Sequence, residues 1–250
     1  MELAITIDSS PVTLNPQQRK LYDCIVNQYT DELACRIVSQ LLLNVDGSAG
    51  SGKTYALLKA CARLQELAYA SGKENPVFRA APIGVAAYNF AGKTLYSLLR
   101  LPVRKKDADL SVASLQALQA LFRNCRFLII DEKSMVDLAT LLLIDSRLRA
   151  MFPASADRPF GGVNVLICGD FFQLPPVGGK ALFSQISTTN TGPSLYGSLL
   201  YRQFTRTIQL TEMMRQDGTD AISERFRTAL NELRAGSLSQ ESWELLCTRV

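Results

Sequence analysis

The sequence predicts an α/β protein in which a doubly wound parallel sheet carries helices on both faces. Three observations support this prediction. Short runs of large and β-branched apolar residues alternate along the chain with longer segments whose apolar residues recur at helical spacing. The short runs lack the polar alternation of half-exposed strands, which is typical of parallel strands covered on both faces. A glycine-rich loop joins the first run to a helix, as in phosphate-binding α/β folds.

The predicted elements follow one another in a regular order. The first helix is expected over residues 16–28, because Asn15 is a favoured N-cap and Pro16 a favoured first helical residue. The predicted strands are the apolar runs 41–45, 77–81, 127–130 and 163–168. The other helices are predicted at 55–68, 112–124, 136–150 and 221–233. Strands that alternate with helices in this way indicate a parallel sheet covered on both sides.

The composition is that of an ordinary globular protein. The chain has 250 residues, 47% of them hydrophobic, and its formal charge of +4 permits an acidic partner such as nucleic acid without requiring one. Six scattered cysteines with no Cys-x-x-Cys pair favour a reducing compartment over a disulfide framework or a zinc site. Histidine is absent, which excludes histidine triads and histidine metal sites. Without a membrane-length apolar run or a signal-peptide pattern, we expect a soluble intracellular protein with no membrane partner.

Residues 47–54, with the sequence GSAGSGKT, match the phosphate-binding P-loop pattern in full. Glycines let successive N–H groups surround phosphate oxygens, and the helix that follows directs its positive end at them. Lys53 is expected to reach the β- and γ-phosphates, and the Thr54 hydroxyl to bind Mg²⁺. A glycine-rich turn with a surface lysine is the weaker alternative. The predicted ATP contacts in this loop are Gly47, Ala49, Gly50, Ser51, Gly52, Lys53 and Thr54.

An acidic pair, Asp131 and Glu132, directly follows the third predicted strand. In doubly wound sheets, ligands bind beyond the carboxyl ends of the strands. Asp131 is therefore expected to hold Mg²⁺ through water, and Glu132 to polarise the water that attacks the γ-phosphate. This pair favours hydrolysis over phosphoryl transfer to a second substrate. An acidic first turn of a helix is the alternative explanation.

The fourth predicted strand ends in GDFFQLPPV, residues 169–177. We expect Gln173 to be buried among aromatic residues and prolines and therefore to need a hydrogen-bond partner. A γ-phosphate or the attacking water would supply that partner. A capped turn that closes the strand is the alternative.

The segments LNPQQ, GSAGSGKT, APIGVAAYNFAGKTLYSLL, IIDEKSM, GDFFQLPPV and LTEMMRQ occur in this order along the chain. Taken together, these six motifs resemble the PIF-one branch of superfamily-one DNA helicases, which is related to bacterial RecD. The DEKSM segment is similar to copies carried by eukaryotic Helitron-type transposons. The resemblance extends from Leu14 to Val250.

The resemblance implies roles for further residues. Gln18 would read the adenine edge, Gln173 would couple the state of the γ-phosphate to DNA binding, and Arg215 would contact the γ-phosphate from a second lobe. Small and amide-bearing residues suit sequence-independent contact with single-stranded DNA. The implied DNA contacts are Gly84, Val85, Asn89, Lys93 and Thr94. The basic segment 104–106 falls where the family inserts a small wedge subdomain, although its composition alone suggests a solvated loop.

The family further implies a RecA-like P-loop fold with two lobes. Residues 1–200 would form the motor lobe, with the wedge-like insertion at about 99–112, and residues 201–250 would begin an incomplete second lobe. The implied activity is ATP hydrolysis, with Mg²⁺, coupled to 5′-to-3′ translocation on single-stranded DNA and to unwinding at duplex junctions. The implied setting is a nuclear, monomeric enzyme of DNA repair, recombination or telomere maintenance.

Three features depart from the family pattern. Ile83 replaces a usual threonine, which removes one hydrogen bond to the DNA backbone, and Tyr96 replaces a usual histidine. The remaining second-lobe motifs are expected beyond Val250, so we expect this chain to bind Mg-ATP but to unwind DNA poorly. A P-loop hydrolase or kinase unrelated to helicases, and a DNA-binding remnant without turnover, remain alternatives.

Overall fold

The structure, a computed structural model, describes residues 8–102, 110–185, 192–214 and 221–248. Its centre is a six-stranded sheet in which every pairing between the described strands is parallel. The order of the strands is β3-β2-β4-β5-β1-β6. The strands are β1 (Leu42–Gly47), β2 (Val77–Ala81), β3 (Lys93–Thr94), β4 (Phe127–Ile130), β5 (Asn164–Gly169) and β6 (Arg206–Leu210).

Helices follow most of the strands. The α-helices are α1 (Pro16–Leu33), α2 (Lys53–Ala70), α3 (Gly84–Asn89), α4 (Leu95–Leu99), α5 (Val112–Phe122), α6 (Leu138–Met151), α7 (Pro193–Tyr201), α8 (Ala221–Ala235) and α9 (Gln240–Cys247). Short 3₁₀ turns lie at Pro11–Thr13, Lys133–Met135, Pro153–Ser155 and Pro159–Gly162. Among the described helices, none combines the length and apolar character needed to cross a bilayer.

Two hydrophobic clusters cover the two faces of the sheet. Side chains of a strand alternate between faces, so Phe127 and Ile129 of β4 pack with α1 and α2, whereas Leu128 and Ile130 pack with α4 to α7. Every residue of the central strand β4 is buried, which explains its unbroken apolar run. The predicted class, a doubly wound α/β sheet with helices on both faces, is confirmed.

The first helix begins where its capping residues predict. Asn15 Oδ1 accepts a hydrogen bond from Gln18 N at 2.8 Å, and Gln18 Oε1 accepts one from Asn15 N at 3.2 Å, which forms a capping box. The helix extends past the predicted end at residue 28 because Tyr29 continues the buried face of Leu21 and Ile25 at a spacing of four residues.

Strand β6 extends the sheet at the edge beyond β1. Ile208 and Leu210 are buried while their neighbours are exposed, a pattern typical of a half-covered edge strand. The lobe boundary predicted at about residue 200 precedes this strand, which belongs to the same sheet as the P-loop strand β1.

Helices α8 and α9 pack against each other as a hairpin. Arg225 Nη2 lies 2.9 Å from Glu241 Oε1, and Glu232 Oε2 accepts hydrogen bonds from Ser239 N and Oγ at 2.9 and 2.7 Å. Ala229 of α8 is buried. The predicted helix at 221–233 is therefore confirmed, and it ends two residues later, at Ala235.

Candidate functional site

The P-loop lies at the carboxyl edge of the sheet, between β1 and α2. Gly50 and Gly52 adopt φ angles of +84° and +76°, a left-handed conformation that strongly favours glycine. A Cβ atom on Gly52 would lie 2.3 Å from Gln18 Nε2. The loop therefore needs glycine at Gly52 for its backbone angle and for its close contact with α1.

Two polar groups of this loop are arranged to meet an anion. The Lys53 Nζ donates to Gly47 O at 2.8 Å and to Ser48 O at 3.0 Å, which holds the ammonium group over the loop. Ser51 Oγ is buried and has no hydrogen-bond partner among the described residues. A buried hydroxyl without a partner is costly, so the loop fits a bound phosphate that would accept its hydrogen bond.

Thr54 and Asp131 bring two oxygen ligands together beside the P-loop. Thr54 Oγ1 lies 3.2 Å from Asp131 Oδ2. Burial raises the pKa of Asp131, against the opposing effect of its hydrogen bonds. Within the described ranges, no three His, Cys, Asp or Glu side chains lie together as a metal site. Mg²⁺ commonly takes only one or two protein oxygens plus substrate phosphates, so this pair fits that ion.

Glu132 occupies a strained position beside Asp131. Its φ angle of +55° is left-handed, which is uncommon for a residue other than glycine and is often retained at functional sites. The side chain is half-buried and forms no hydrogen bond with the described residues. Burial raises the pKa of Glu132, and the charge of Asp131 raises it further. The carboxyl group is thus available to a ligand at the edge of the sheet.

Gln18 lies against the P-loop and is almost fully buried. Its Nε2 donates to Ser51 O at 3.1 Å, while its Oε1 caps α1. Both ends of the amide therefore contact the protein, and recognition of adenine by this residue stays a prediction.

Residues after β6 also contact the P-loop and α1, which the sequence did not predict. Met214 N donates to Gly50 O at 2.9 Å. Thr211 is held by Gln17 through two hydrogen bonds of 2.7 and 2.8 Å. Arg215, the predicted γ-phosphate contact, lies outside the described residues, as does the basic segment 104–106.

A cleft of about 680 Å³ lies next to Glu132. It brings Val85 and Asn89, two of the predicted DNA contacts, to the same space as Glu132 and Gln173. The cleft lining is mainly apolar, and the buried Ser134 Oγ beside it has no partner among the described residues. The lining residues are Ile83, Val85, Ala86, Asn89, Glu132, Ser134, Met135, Phe172, Gln173, Leu174 and Pro175.

Three other predicted DNA contacts lie outside this lining. Gly84 begins α3 and is exposed, and Lys93 is exposed on the edge strand β3. Thr94 Oγ1 caps α4 by accepting a hydrogen bond from Ser97 N at 3.2 Å. Tyr96, one of the departures from the family pattern, is 38% exposed in the same helix.

The prediction that Gln173 is buried among aromatic residues is wrong. Gln173 is half-buried, because the loop turns Phe172 and Leu174 outward until they are 71% and 72% exposed. Its backbone N donates to Asp170 O at 3.0 Å. Since solvent reaches the side-chain amide, burial does not force it to have a protein or ligand partner, although it does face the cleft.

Asp170 and Arg234 form an ion pair that the sequence did not predict. The carboxylate of Asp170 is buried. Both terminal guanidinium nitrogens of Arg234 contact the carboxylate, with Nη2 at 2.8 Å from Oδ1. The guanidinium group also stacks on Phe172 at 4.3 Å from the ring centre. The position of Asp170 at the end of a buried strand, like that of Asp131, is a signal that could have indicated a role. Arg234 carries no local signal, because its partner lies 64 residues away.

The family model and the similar known proteins all point to the same family. A model described as PIF1-like helicase matches residues 13–244. The chain is 33% identical over 238 residues to ATP-dependent DNA helicase RRM3 of Saccharomyces cerevisiae, covering 92% of this chain and 29% of that protein. It is 32% identical over 220 residues to ATP-dependent DNA helicase PIF1 of Candida albicans, covering 85% of this chain and 23% of that protein.

Solved structures agree with this family. The crystal structure of Pif1 helicase from Candida albicans superposes with a TM-score of 0.70 at 27% identity, covering 94% of this chain and 47% of that chain. The structure of Bacteroides Pif1 bound to single-stranded DNA superposes with a TM-score of 0.65 at 30% identity, covering 93% of this chain and 49% of that chain. The chain thus spans less than a third of these curated relatives. On the family match over most of its length, the chain belongs to the PIF1-like helicase family.

Proposed function

We propose that this chain is an ATP-hydrolysing motor lobe whose turnover is stimulated by single-stranded DNA. The observation that carries this proposal is the position of Glu132. It follows Asp131, which contacts Thr54 of the P-loop, and it also lines the cleft that contains Val85 and Asn89. One carboxylate therefore stands between the nucleotide site and the candidate DNA cleft.

On the nucleotide side, each residue has a distinct role in the proposal. Lys53 binds the β- and γ-phosphates, and the glycine loop surrounds them with N–H groups. Mg²⁺, held by Thr54 and by Asp131 through water, would neutralise the charge that develops on the phosphates. Glu132 accepts a proton from the attacking water, for which its uncommitted carboxylate is suited.

On the DNA side, the cleft offers an apolar wall and a few amides. Apolar surfaces accommodate bases of any sequence, and the amides of Asn89 and Gln173 can contact the backbone. Gly84, Lys93 and Thr94 extend this path outside the cleft. The similar Bacteroides Pif1 was crystallised bound to single-stranded DNA, which supports the same class of ligand here.

The finer features of the proposal rest on family membership. They are 5′-to-3′ translocation, unwinding at duplex junctions, a role in DNA repair, recombination or telomere maintenance, and a nuclear location. Adenine recognition by Gln18 and the γ-phosphate contact of Arg215 belong with them. A second lobe would begin after β6, since that strand belongs to the first sheet. A monomer remains our expectation, although one similar structure is described as two coordinating Pif1 helicases.

The test is ATP hydrolysis by the purified chain, with and without single-stranded DNA. We expect single-stranded DNA to stimulate ATP hydrolysis by the wild-type chain, and we expect no turnover in Lys53→Ala. Circular dichroism should show that both proteins are folded. Turnover that DNA does not change would favour a P-loop hydrolase whose turnover is not coupled to DNA. DNA binding without any turnover would favour a non-catalytic remnant.

A further inference from the structure

The loop after β4 crosses over the end of a neighbouring strand. In the sheet, β5 lies between β4 and β1, so a residue that follows β4 must pass the end of β5 to reach β1. Gly169 ends β5, and a Cβ atom there would lie 2.9 Å from Lys133 N and 3.2 Å from Lys133 Cγ. The absence of a side chain on Gly169 leaves room for Lys133 to cross.

Lys133 then contacts β1 directly. Its Nζ donates to Asn44 Oδ1 at 2.5 Å and to Val45 O at 3.3 Å, and it forms an ion pair with the Asp46 carboxylate. The lysine side chain is fully buried. The residue that follows Asp46 is Gly47, the first residue of the P-loop, so the contact is made at the base of the nucleotide site.

A third segment also contacts the same ammonium group. Nζ of Lys133 lies 4.4 Å from the ring centre of Phe171, which is two residues before Gln173 in the GDFFQLPPV segment. Such a cation–π contact is favourable when the charge is desolvated. One buried side chain therefore joins the acidic-pair loop, the P-loop strand and the segment that carries Gln173.

We propose that Lys133 is a positioning residue, which fixes Glu132 relative to the P-loop and to Gln173. The proposal rests on the proposed function, since it concerns the base of the hydrolysis reaction. A buried ion pair is often no better for stability than an apolar side chain of similar size, because desolvation offsets the attraction between the charges. The Lys133 ammonium group, however, makes directional contacts with three acceptors on β1, and these define one placement of the loop after β4. Glu132 is the residue directly before Lys133 and has a left-handed φ angle of +55°. In this proposal, the contacts of Lys133 hold that backbone conformation in place.

The test compares Lys133→Met, which keeps the length and apolar stem of the side chain, with two control variants. Lys73→Met makes the same chemical change on an exposed turn, and Ile25→Val weakens the core of α1 away from the loop. For Lys133→Met we expect kcat for ATP to fall by about 10- to 100-fold, because a misplacement of about 1 Å can cost about 100-fold. The KM for ATP and the Kd for single-stranded DNA should not change beyond measurement error.

A readout without activity separates this inference from the proposed function. Hydrogen–deuterium exchange of residues 131–135 and 44–47 should become faster in Lys133→Met, and should stay unchanged in Lys73→Met, even if the wild-type chain lacks turnover. Faster exchange with inactive wild type would overturn the proposed function but support the contact. Unchanged exchange would overturn the inference. The inference would also be overturned if Lys133→Met lowered kcat, raised the KM for ATP and weakened DNA binding to the same extent as Ile25→Val. Such a result would indicate that the lysine has a purely structural role.

Discussion

At the scale of single residues, Glu132 combines several features that the stability of the fold alone does not explain. It keeps a left-handed backbone, a raised pKa and a side chain with no hydrogen bond to the described residues, directly after the Asp131 that contacts the P-loop. A group with no protein partner gains little by being held in a strained position for stability alone. Its geometry is better explained by a ligand that it must meet.

We predict that Glu132→Gln lowers kcat for ATP by about 100- to 10,000-fold, the range typical of a lost general base. The amide keeps the size of the side chain, so the affinity for ATP should not fall. Steady-state hydrolysis and binding of a fluorescent ATP analogue measure the two quantities. Glu66→Gln, on the exposed face of α2, is the matched control. Full turnover in Glu132→Gln would assign the base to another residue.

Two glycines with similar backbones separate conformational cost from crowding. Gly72 has a φ of +67°, and no atom lies within 4 Å of where its Cβ atom would be. Gly72→Ala should therefore lower the free energy of unfolding by only about 1–2 kcal/mol, the cost of placing an L-residue in the left-handed region. Gly52→Ala has the same backbone cost, and its Cβ atom would lie 2.3 Å from Gln18 Nε2. The buried Gln18 side chain would have to move and give up its hydrogen bond to Ser51 O. We predict the larger loss of stability, and the loss of ATP binding, for Gly52→Ala only. Urea unfolding and nucleotide titration are the measurements, and equal effects of the two variants would contradict the prediction.

At the scale of elements, α8 is attached to the carboxyl edge of the sheet through Arg234. Burial opposes ionisation of Asp170, but the hydrogen bonds from Arg234 and Phe172 outweigh it, so the pKa of Asp170 is lowered. A lowered pKa means that the ion pair stabilises the fold above the ordinary aspartate value of 3.8. This contribution is lost as the pH falls through the lowered pKa, because the carboxyl group is then protonated.

We predict that Arg234→Ala destabilises the chain by about 2 kcal/mol at neutral pH, because it leaves a buried carboxylate without its charged donor. Arg225→Ala is the control in the same helix. It breaks the exposed pair with Glu241, and such pairs contribute about 0–1 kcal/mol. Denaturant unfolding with circular dichroism gives both values. Equal small losses would mean that α8 is not anchored by Asp170.

The elements also show what local sequence can and cannot predict. Strands β2 and β4 lie at the residues that the sequence predicts. The apolar run of β4 is continuous, that of β2 is interrupted only by Arg79, and polar residues precede both strands. The sequence does not predict the edge strand β6, because only two of its five residues are buried and its partner β1 lies some 160 residues earlier in the chain. Helix α7 is likewise missing from the predicted elements.

The candidate site divides in the same way. The P-loop and Asp131 are predictable because each motif contains its own structural context. Lys133 and Arg234 are not, since their roles depend on strands and helices that approach only in the folded chain. The predicted burial of Gln173 is wrong, because aromatic neighbours in the sequence can turn outward in a loop.

At the scale of the whole molecule, one edge of the sheet carries both sites. The proposed nucleotide site lies over β1 and β4, and the candidate DNA cleft lies between the loops after β2, β4 and β5. Since Glu132 belongs to both, a ligand in one site should change the free energy of binding in the other. Linkage requires that the effect be reciprocal.

The most direct test of this coupling is the Kd of the chain for labelled single-stranded DNA, measured with and without a non-hydrolysable ATP analogue and Mg²⁺. We predict a change of about 5- to 150-fold in the DNA Kd, the range typical of coupled sites. The Kd of the analogue should change by the same factor when DNA is added, and Lys53→Ala should remove both effects. Equal DNA affinities with and without the analogue, at saturating nucleotide, would contradict the account by showing that the two sites act independently.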